Sequence, residues 1–189
     1  MGKINMNSFD LLISNYFSSI RSGGLTELMY LLSRLFDFSG YFVVMVFLVA
    51  LLIYLIRNLQ YAVFFVLSLS VGAISVYFLK MFFNISRPLN MVTNAFGQSF
   101  PSYHAAIASI FFILIVYIFG SLLKGFVKIL FNSLCAFLIL LISFSRVYLG
   151  VHWASDIFAG IALGAILSYA FIFIFRHVRN THIHTSMLR

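Results

Sequence analysis

The stretch Ser145-Arg146-Val147-Tyr148-Leu149-Gly150-Val151-His152-Trp153-Ala154-Ser155-Asp156 sets an arginine, a histidine and an aspartate between two apolar runs. A bilayer disfavours all three, so each needs a reason to be there. His152 and Asp156 are four apart, so on a helix beginning near His152 the carboxylate lies one turn along the same face, within reach of an imidazole nitrogen. Arg146 closes the preceding run, and the connection 147–151, with Gly150 inside it, folds arginine and histidine toward one point.

Composition places this stretch in a membrane. Of 189 residues 63% are hydrophobic and 8% charged, too little polar surface to cover a water-soluble globule. The length fits a single domain, divided into amino-terminal interfacial helices (1–38), a helical bundle (39–176) and a basic tail (177–189). The two prolines, Pro88 and Pro101, lie outside the apolar runs, which are therefore free to form uninterrupted helices. Cys135 stands alone and offers neither disulfide nor metal framework. A net charge of +8 could indicate nucleic acid, but the basic residues are scattered among apolar segments and form no dense tract. Nucleic acid is excluded as a partner; the lipid bilayer and an anionic substrate account for the charge.

Residues 1–7 lack the pattern of a secretory signal, and Met6 stands where a myristoylation signal requires Ser or Thr. Over 9–20 the apolar residues Phe9, Leu12, Ile13, Tyr16, Phe17 and Ile20 recur at three and four, with Asp10, Ser14 and Asn15 between them. That is an amphipathic helix too short to span. Residues 25–36 repeat the pattern after Gly23 and Gly24. Five stronger runs follow, at 39–56, 61–83, 103–119, 128–145 and 153–175, several near the roughly 20 residues that cross a bilayer. The expected fold is all-α: a polytopic transmembrane bundle of about five spanning helices with interfacial or partly inserted helices before it.

If the five runs alternate, one face receives Arg57, Lys124, Lys128, Arg176, Arg179 and Arg189. The other receives Lys3, Arg21 and Arg34, together with Lys80, Arg87 and Arg146 and the acids Asp10, Glu27 and Asp37. With Lys80, Arg87 and Arg146 set aside as site candidates, the positive-inside rule puts the loop 84–102 outside the cytoplasm. The same alternation brings Lys80 and Arg87, at the end of the second run, to the face that holds Ser102, Tyr103 and His104 at the start of the third. Two further crossings return Arg146, His152 and Asp156 to it.

Each residue alone has an ordinary explanation as a snorkelling or headgroup-binding side chain. Together they are complementary. Lys80 is a compact cation, Arg87 and Arg146 are planar forks suited to phosphate oxygens, Ser102 adds a hydroxyl, and the N–H groups at Ser102 and Tyr103 open a helix. This set describes a tetrahedral anion site that requires neither a metal nor a cofactor.

Lys80, six residues and Arg87-Pro88; then Pro101-Ser102-Tyr103-His104; then Ser145-Arg146, five residues, His152, three residues and Asp156: this arrangement resembles the tripartite signature of the type 2 phosphatidic acid phosphatase superfamily, whose fold also serves vanadium haloperoxidases. The resemblance implies that His152 attacks phosphorus and becomes phosphohistidine while Asp156 orients it. It implies that His104 protonates the leaving oxygen and then helps activate water, with Lys80, Arg87, Ser102, the N–H of Tyr103 and Arg146 holding the other oxygens. One position departs from the pattern: Tyr103 stands where the family most often has glycine. The backbone N–H survives the change, and the ring reads as an interfacial aromatic or a substrate contact.

The expected protein is therefore an integral-membrane lipid phosphatase, multi-pass in a bacterial plasma membrane with its site on the extracytoplasmic side. Undecaprenyl pyrophosphate is the leading substrate, with phosphatidylglycerophosphate, phosphatidic acid and lipid A phosphates open. A lipid phosphotransferase with the same phosphohistidine is the alternative. A carrier that only binds would not require two histidines and an aspartate, and the strongly apolar spans disfavour a haloperoxidase. The oligomeric state is not encoded in these patterns.

Overall fold

The computed structural model describes residues 7–37 and 39–186. Residues 1–6, which carry Lys3 and most of the leading polar segment, and residues 187–189 of the basic tail lie outside it. The described residues form seven helices: α1 (Ser8–Ser19), α2 (Gly23–Arg34), α3 (Gly40–Ile56), α4 (Leu59–Phe83), α5 (Tyr103–Phe119), α6 (Gly125–Tyr148) and α7 (Ala154–Ser186). No strand occurs among them. α4, α6 and α7 are long and apolar enough to cross a bilayer; α3 and α5, at 17 residues each, reach about 26 Å, the short end of a spanning helix.

α7 runs well past the expected end of its apolar run, through residues read as a basic tail. Residues 176–186 contain no glycine or proline to stop it, so the helix continues after its composition turns polar.

α5 is the axis of the bundle. It packs on α4, α6 and α7, and its residues Ala105, Ala106, Ile107, Ala108, Ser109 and Ile110 are all buried. Small residues let the neighbour come close: a Cβ on Gly160 of α7 would stand 2.7 Å from the carbonyl oxygen of Ser102 and 2.9 Å from Ala105 Cβ. One turn on, a Cβ at Gly164 would meet Ala106 and Ser109 in the same way. Close approach through glycines four apart is how helices associate where no hydrophobic force drives them together. Large apolar side chains such as Phe47, Leu67, Phe78, Leu140 and Phe173 face outward, as lipid contact requires.

The amino-terminal helices carry the same inversion. On α1 it is Asp10 and Ser14 that are buried, while Leu12 and Tyr16 are exposed; on α2 Ser33 is buried beside Met29, and Leu28 and Leu31 are exposed. In water this would be inside out. Against a bilayer it is the stable arrangement, because the polar stripe finds partners only in the protein. Asp10 accepts from Ser155 N (2.9 Å) and Ser155 Oγ (2.7 Å), capping the start of α7. Ser14 and Asn90 exchange hydrogen bonds of 3.0 and 3.2 Å, and Arg21 donates to the carbonyls of Tyr148 (2.9 Å) and Asn90 (2.7 Å). The hairpin α1–α2 is thus fastened to the loops that hold the site.

Gly160→Leu is expected to destabilise the α5–α7 seam by about 1–3 kcal/mol, the ordinary cost of overpacking. Ala162→Leu, on the exposed side of the same helix, should change little. Thermal melting in detergent, comparing the two variants, checks this.

Candidate active site

Two loops meet at one end of the bundle, 84–102 between α4 and α5 and 149–153 between α6 and α7. Their backbones are tied by Val92 N to Leu149 O (3.1 Å) and Ser102 N to Asp156 O (3.1 Å), and Trp153 Nε1 donates to Ser86 O (2.9 Å). Gly150 is needed where they touch. It has φ +70°, and a Cβ there would stand 2.7 Å from Asn90 O, so both its conformation and its space favour glycine.

His152 and Asp156 sit as their spacing predicts. Asp156 Oδ2 lies 3.2 Å from His152 Nδ1 and accepts the N–H of Trp153 at 2.9 Å, a helix-start carboxylate reaching back to the residue before the helix. Ser99 completes the arrangement, donating to Asp156 Oδ2 and lying 3.3 Å from His152 Nδ1. With Nδ1 committed to the carboxylate, Nε2 carries the lone pair and accepts from Arg87 Nη1 at 3.3 Å. Burial pushes the His152 imidazole well below its usual range, reinforced by the positive charges of Arg87, Lys80 and Arg146. The neutral form of the ring is favoured.

Of the expected phosphate ligands, Lys80 and Arg87 are oriented by backbone carbonyls of the loops. Lys80 Nζ donates to Gln98 O (2.7 Å) and Ser99 O (3.0 Å). Arg87 reaches Gly97 O (3.0 Å), Phe96 O (3.0 Å) and Val151 O (2.6 Å), bridging the two loops. Arg146 is buried, donates to Ser33 Oγ and keeps Nε without a partner among the described residues. It forms one wall of a polar cavity of about 840 Å³, which is also lined by Thr26, Glu27, Ser33, Asp37 and Asn94. Ser102 is buried and caps α5, its Oγ accepting from Ala105 N (3.4 Å), which leaves the hydroxyl hydrogen to donate elsewhere. Tyr103 is half-buried; its ring lines a small apolar cavity with Phe42, Val46, Leu69 and Ile107.

Two partners were not read as such from the sequence. His104 bonds through Nε2 to Asp37 Oδ1 at 2.8 Å, yet Asp37 figured only as an acid on the less basic face. Ser99 carried no motif signal at all. Asp37 is 67 residues from His104 and Ser99 is 57 from Asp156, and no local periodicity reports such distances. Among the described residues no group of three or more His, Cys, Asp or Glu is placed to hold a metal ion.

Fold and site together define an all-helical integral membrane protein with two carboxylate-paired histidines and three cations gathered at one end of the bundle. The sequence profile of the PAP2 superfamily matches residues 61–180, and the chain belongs to that superfamily. It is 32% identical over 118 residues to an undecaprenyl-diphosphatase of Sulfolobus acidocaldarius, a match covering 56% of this chain and 48% of that protein; the chain thus spans about half the length of this relative. The fold is that of a crystallised transmembrane PAP2-type phosphatidylglycerolphosphate phosphatase from Bacillus subtilis, with TM-score 0.83 and 24% identity over 93% of this chain and 90% of the other. LpxE of Aquifex aeolicus shares it at TM-score 0.74 and 22% identity, over 91% of this chain and 99% of the other.

Because the charged imidazolium is disfavoured at His152, lowering the pH costs activity only once it falls below the ordinary histidine value of 6.5. A pH–rate profile should place the acid limb there, and Asp156→Asn should lower kcat by roughly 10³–10⁴-fold through loss of the correct tautomer.

Proposed function

We propose that this protein is a lipid phosphatase that hydrolyses a phosphate or pyrophosphate headgroup through a phosphohistidine, with undecaprenyl pyrophosphate as the leading substrate. The observation that carries the reading is His152, with Nδ1 held by Asp156 and Nε2 presented beside Arg87. A histidine needed only for binding would not require a buried carboxylate fixing its tautomer. The likeness to an undecaprenyl-diphosphatase supports the choice of substrate. The excess of Arg57, Lys124, Lys128, Arg176 and Arg179 on the opposite face supports a site on the extracytoplasmic side of the membrane.

In the first step the Nε2 lone pair of His152 forms a bond to phosphorus. The bond from phosphorus to the lipid oxygen breaks, its electron pair stays on that oxygen, and His104 supplies the proton. Asp156 stabilises the charge that develops on the imidazole. In the second step water attacks phosphorus, His104 takes its proton, and the P–N bond breaks with its electrons returning to Nε2. Inorganic phosphate leaves and both histidines are regenerated. Lys80, Arg87 and Arg146, with Ser102 and the N–H of Tyr103, bind the remaining oxygens throughout. Phosphoryl transfer is chiefly positioning and charge stabilisation, so cations fixed in advance supply most of the acceleration.

One observation favours a second reading. The cavity beside Arg146 is polar and, at about 840 Å³, holds more than a phosphate, so an acceptor headgroup could replace water and make the protein a phosphotransferase.

The purified protein should release inorganic phosphate from lipid phosphates without a second lipid, and strict dependence on an acceptor would replace hydrolysis by transfer. His152→Ala is expected to abolish turnover and the acid-labile phosphate label on the protein; full activity in that variant would refute the mechanism.

A further inference from the structure

Asp37 lies on the short turn between α2 and α3. The turn is held by Phe36 N to Ser33 O (3.1 Å), Asp37 N to Arg34 O (3.3 Å) and Ser39 N to Asp37 O (2.7 Å). Phe36, next to it, is buried with its ring 5.6 Å from Phe111 and 5.7 Å from Phe42, so the aspartate is anchored to the bundle core through its neighbour. Its side chain is 43% exposed on the wall of the cavity that Arg146 also lines. Although water is available, one oxygen goes to Nε2 of a buried histidine. Burial by itself would raise the Asp37 carboxyl, but the His104 hydrogen bond and the positive charges of His104, Arg146 and Arg34 outweigh it and hold the group below its usual range. It is an anion at neutral pH.

The two histidines are therefore held by opposite nitrogens. His152 gives Nδ1 to its carboxylate and presents Nε2; His104 gives Nε2 to Asp37, which leaves Nδ1 for the reaction. We propose that Asp37 is the positioning residue of the general acid: its carboxylate fixes the ring orientation of His104 and favours the imidazolium form, protonated on both nitrogens, so that Nδ1–H is delivered to the leaving oxygen. The proposal rests on the phosphatase reading above. The imidazolium of His104 gives its Nδ1 proton to the lipid oxygen and becomes a neutral ring, while the Nε2–H stays hydrogen-bonded to the carboxylate. In the second step Nδ1 receives the proton of the attacking water. Asp37 itself exchanges none.

A positioning role makes a distinction that a structural role does not. An alkyl alkoxide needs its proton as it leaves, whereas p-nitrophenolate is stable without one, so loss of acid catalysis shows on the first leaving group and hardly on the second. The test uses the full-length protein in detergent micelles, with farnesyl phosphate and p-nitrophenyl phosphate as substrates. Asp37→Asn is expected to lower kcat on farnesyl phosphate about 10²-fold with KM changed less than about threefold, and to lower kcat on p-nitrophenyl phosphate by less than about threefold. Asp37→Glu should recover part of the farnesyl phosphate activity, and it carries the same contrast should the Asn variant fail to fold. Equal losses on both substrates, or no loss on farnesyl phosphate, overturn the role of Asp37 while leaving the phosphatase reading intact. A wild-type protein that cleaves neither ester and takes up no acid-labile phosphate overturns the phosphatase reading and this role with it.

Discussion

The carboxylate of Asp156 is 1% exposed, and burying an anion so completely is costly unless donors surround it. Here they come from three directions: the N–H of Trp153, the hydroxyl of Ser99 and the imidazole of His152 all converge on Oδ2. Each donor belongs to a segment the site needs, namely the start of α7, the loop 84–102 and the loop that carries His152. The backbone carbonyl of the same residue takes the N–H of Ser102, which sets the start of α5 against the start of α7. Meeting the demand of this one oxygen draws both site loops together and selects the imidazole tautomer that leaves Nε2 available, while Asp156 Oδ1 is buried without a partner among the described residues.

The bilayer reverses the usual rule for the rest of the chain. Many large apolar side chains of α3, α4, α6 and α7 point outward, and others, such as Ile53, Phe65 and Ile142, pack between the helices, so cohesion comes from close packing and polar partners. Gly160 and Gly164 let α7 lie directly on the small residues of α5. On α1 and α2 the polar stripe turns inward, where Asp10, Ser14 and Arg21 bind the loops of the site. These helices are short, but their hydrogen bonds brace the end of the bundle where a lipid headgroup would sit.

The cations are restrained before any substrate arrives. Lys80 and Arg87 spend donors on loop carbonyls, which costs them freedom and fixes their direction. Such preorganisation is what phosphoryl transfer rewards, because charge placed in advance needs no reorganisation at the moment of reaction. Arg146 differs, buried at the cavity wall with Nε unpartnered, and is the cation with most capacity left for an incoming oxygen.

Much of this was legible in the sequence because it is encoded by short spacings and by parity. Four residues between His152 and Asp156 are one helical turn, and apolar runs that cross and return must bring Lys80, Arg87, His104, Arg146 and His152 to a common face. The family motif, the helical class and the five apolar helices follow from such local patterns, as does the amphipathic character of α1 and α2. Periodicity could not say which way those two helices would face, since a polar stripe reads the same whether it meets water or protein. Nor could it join Asp37 to His104, Ser99 to Asp156 or Asp10 to Ser155, pairs separated by 67, 57 and 145 residues. Those contacts exist only once α5 and α7 have closed on each other and the amino-terminal hairpin has docked, because side chains that far apart in the chain meet through packing and not through the geometry of any one helix.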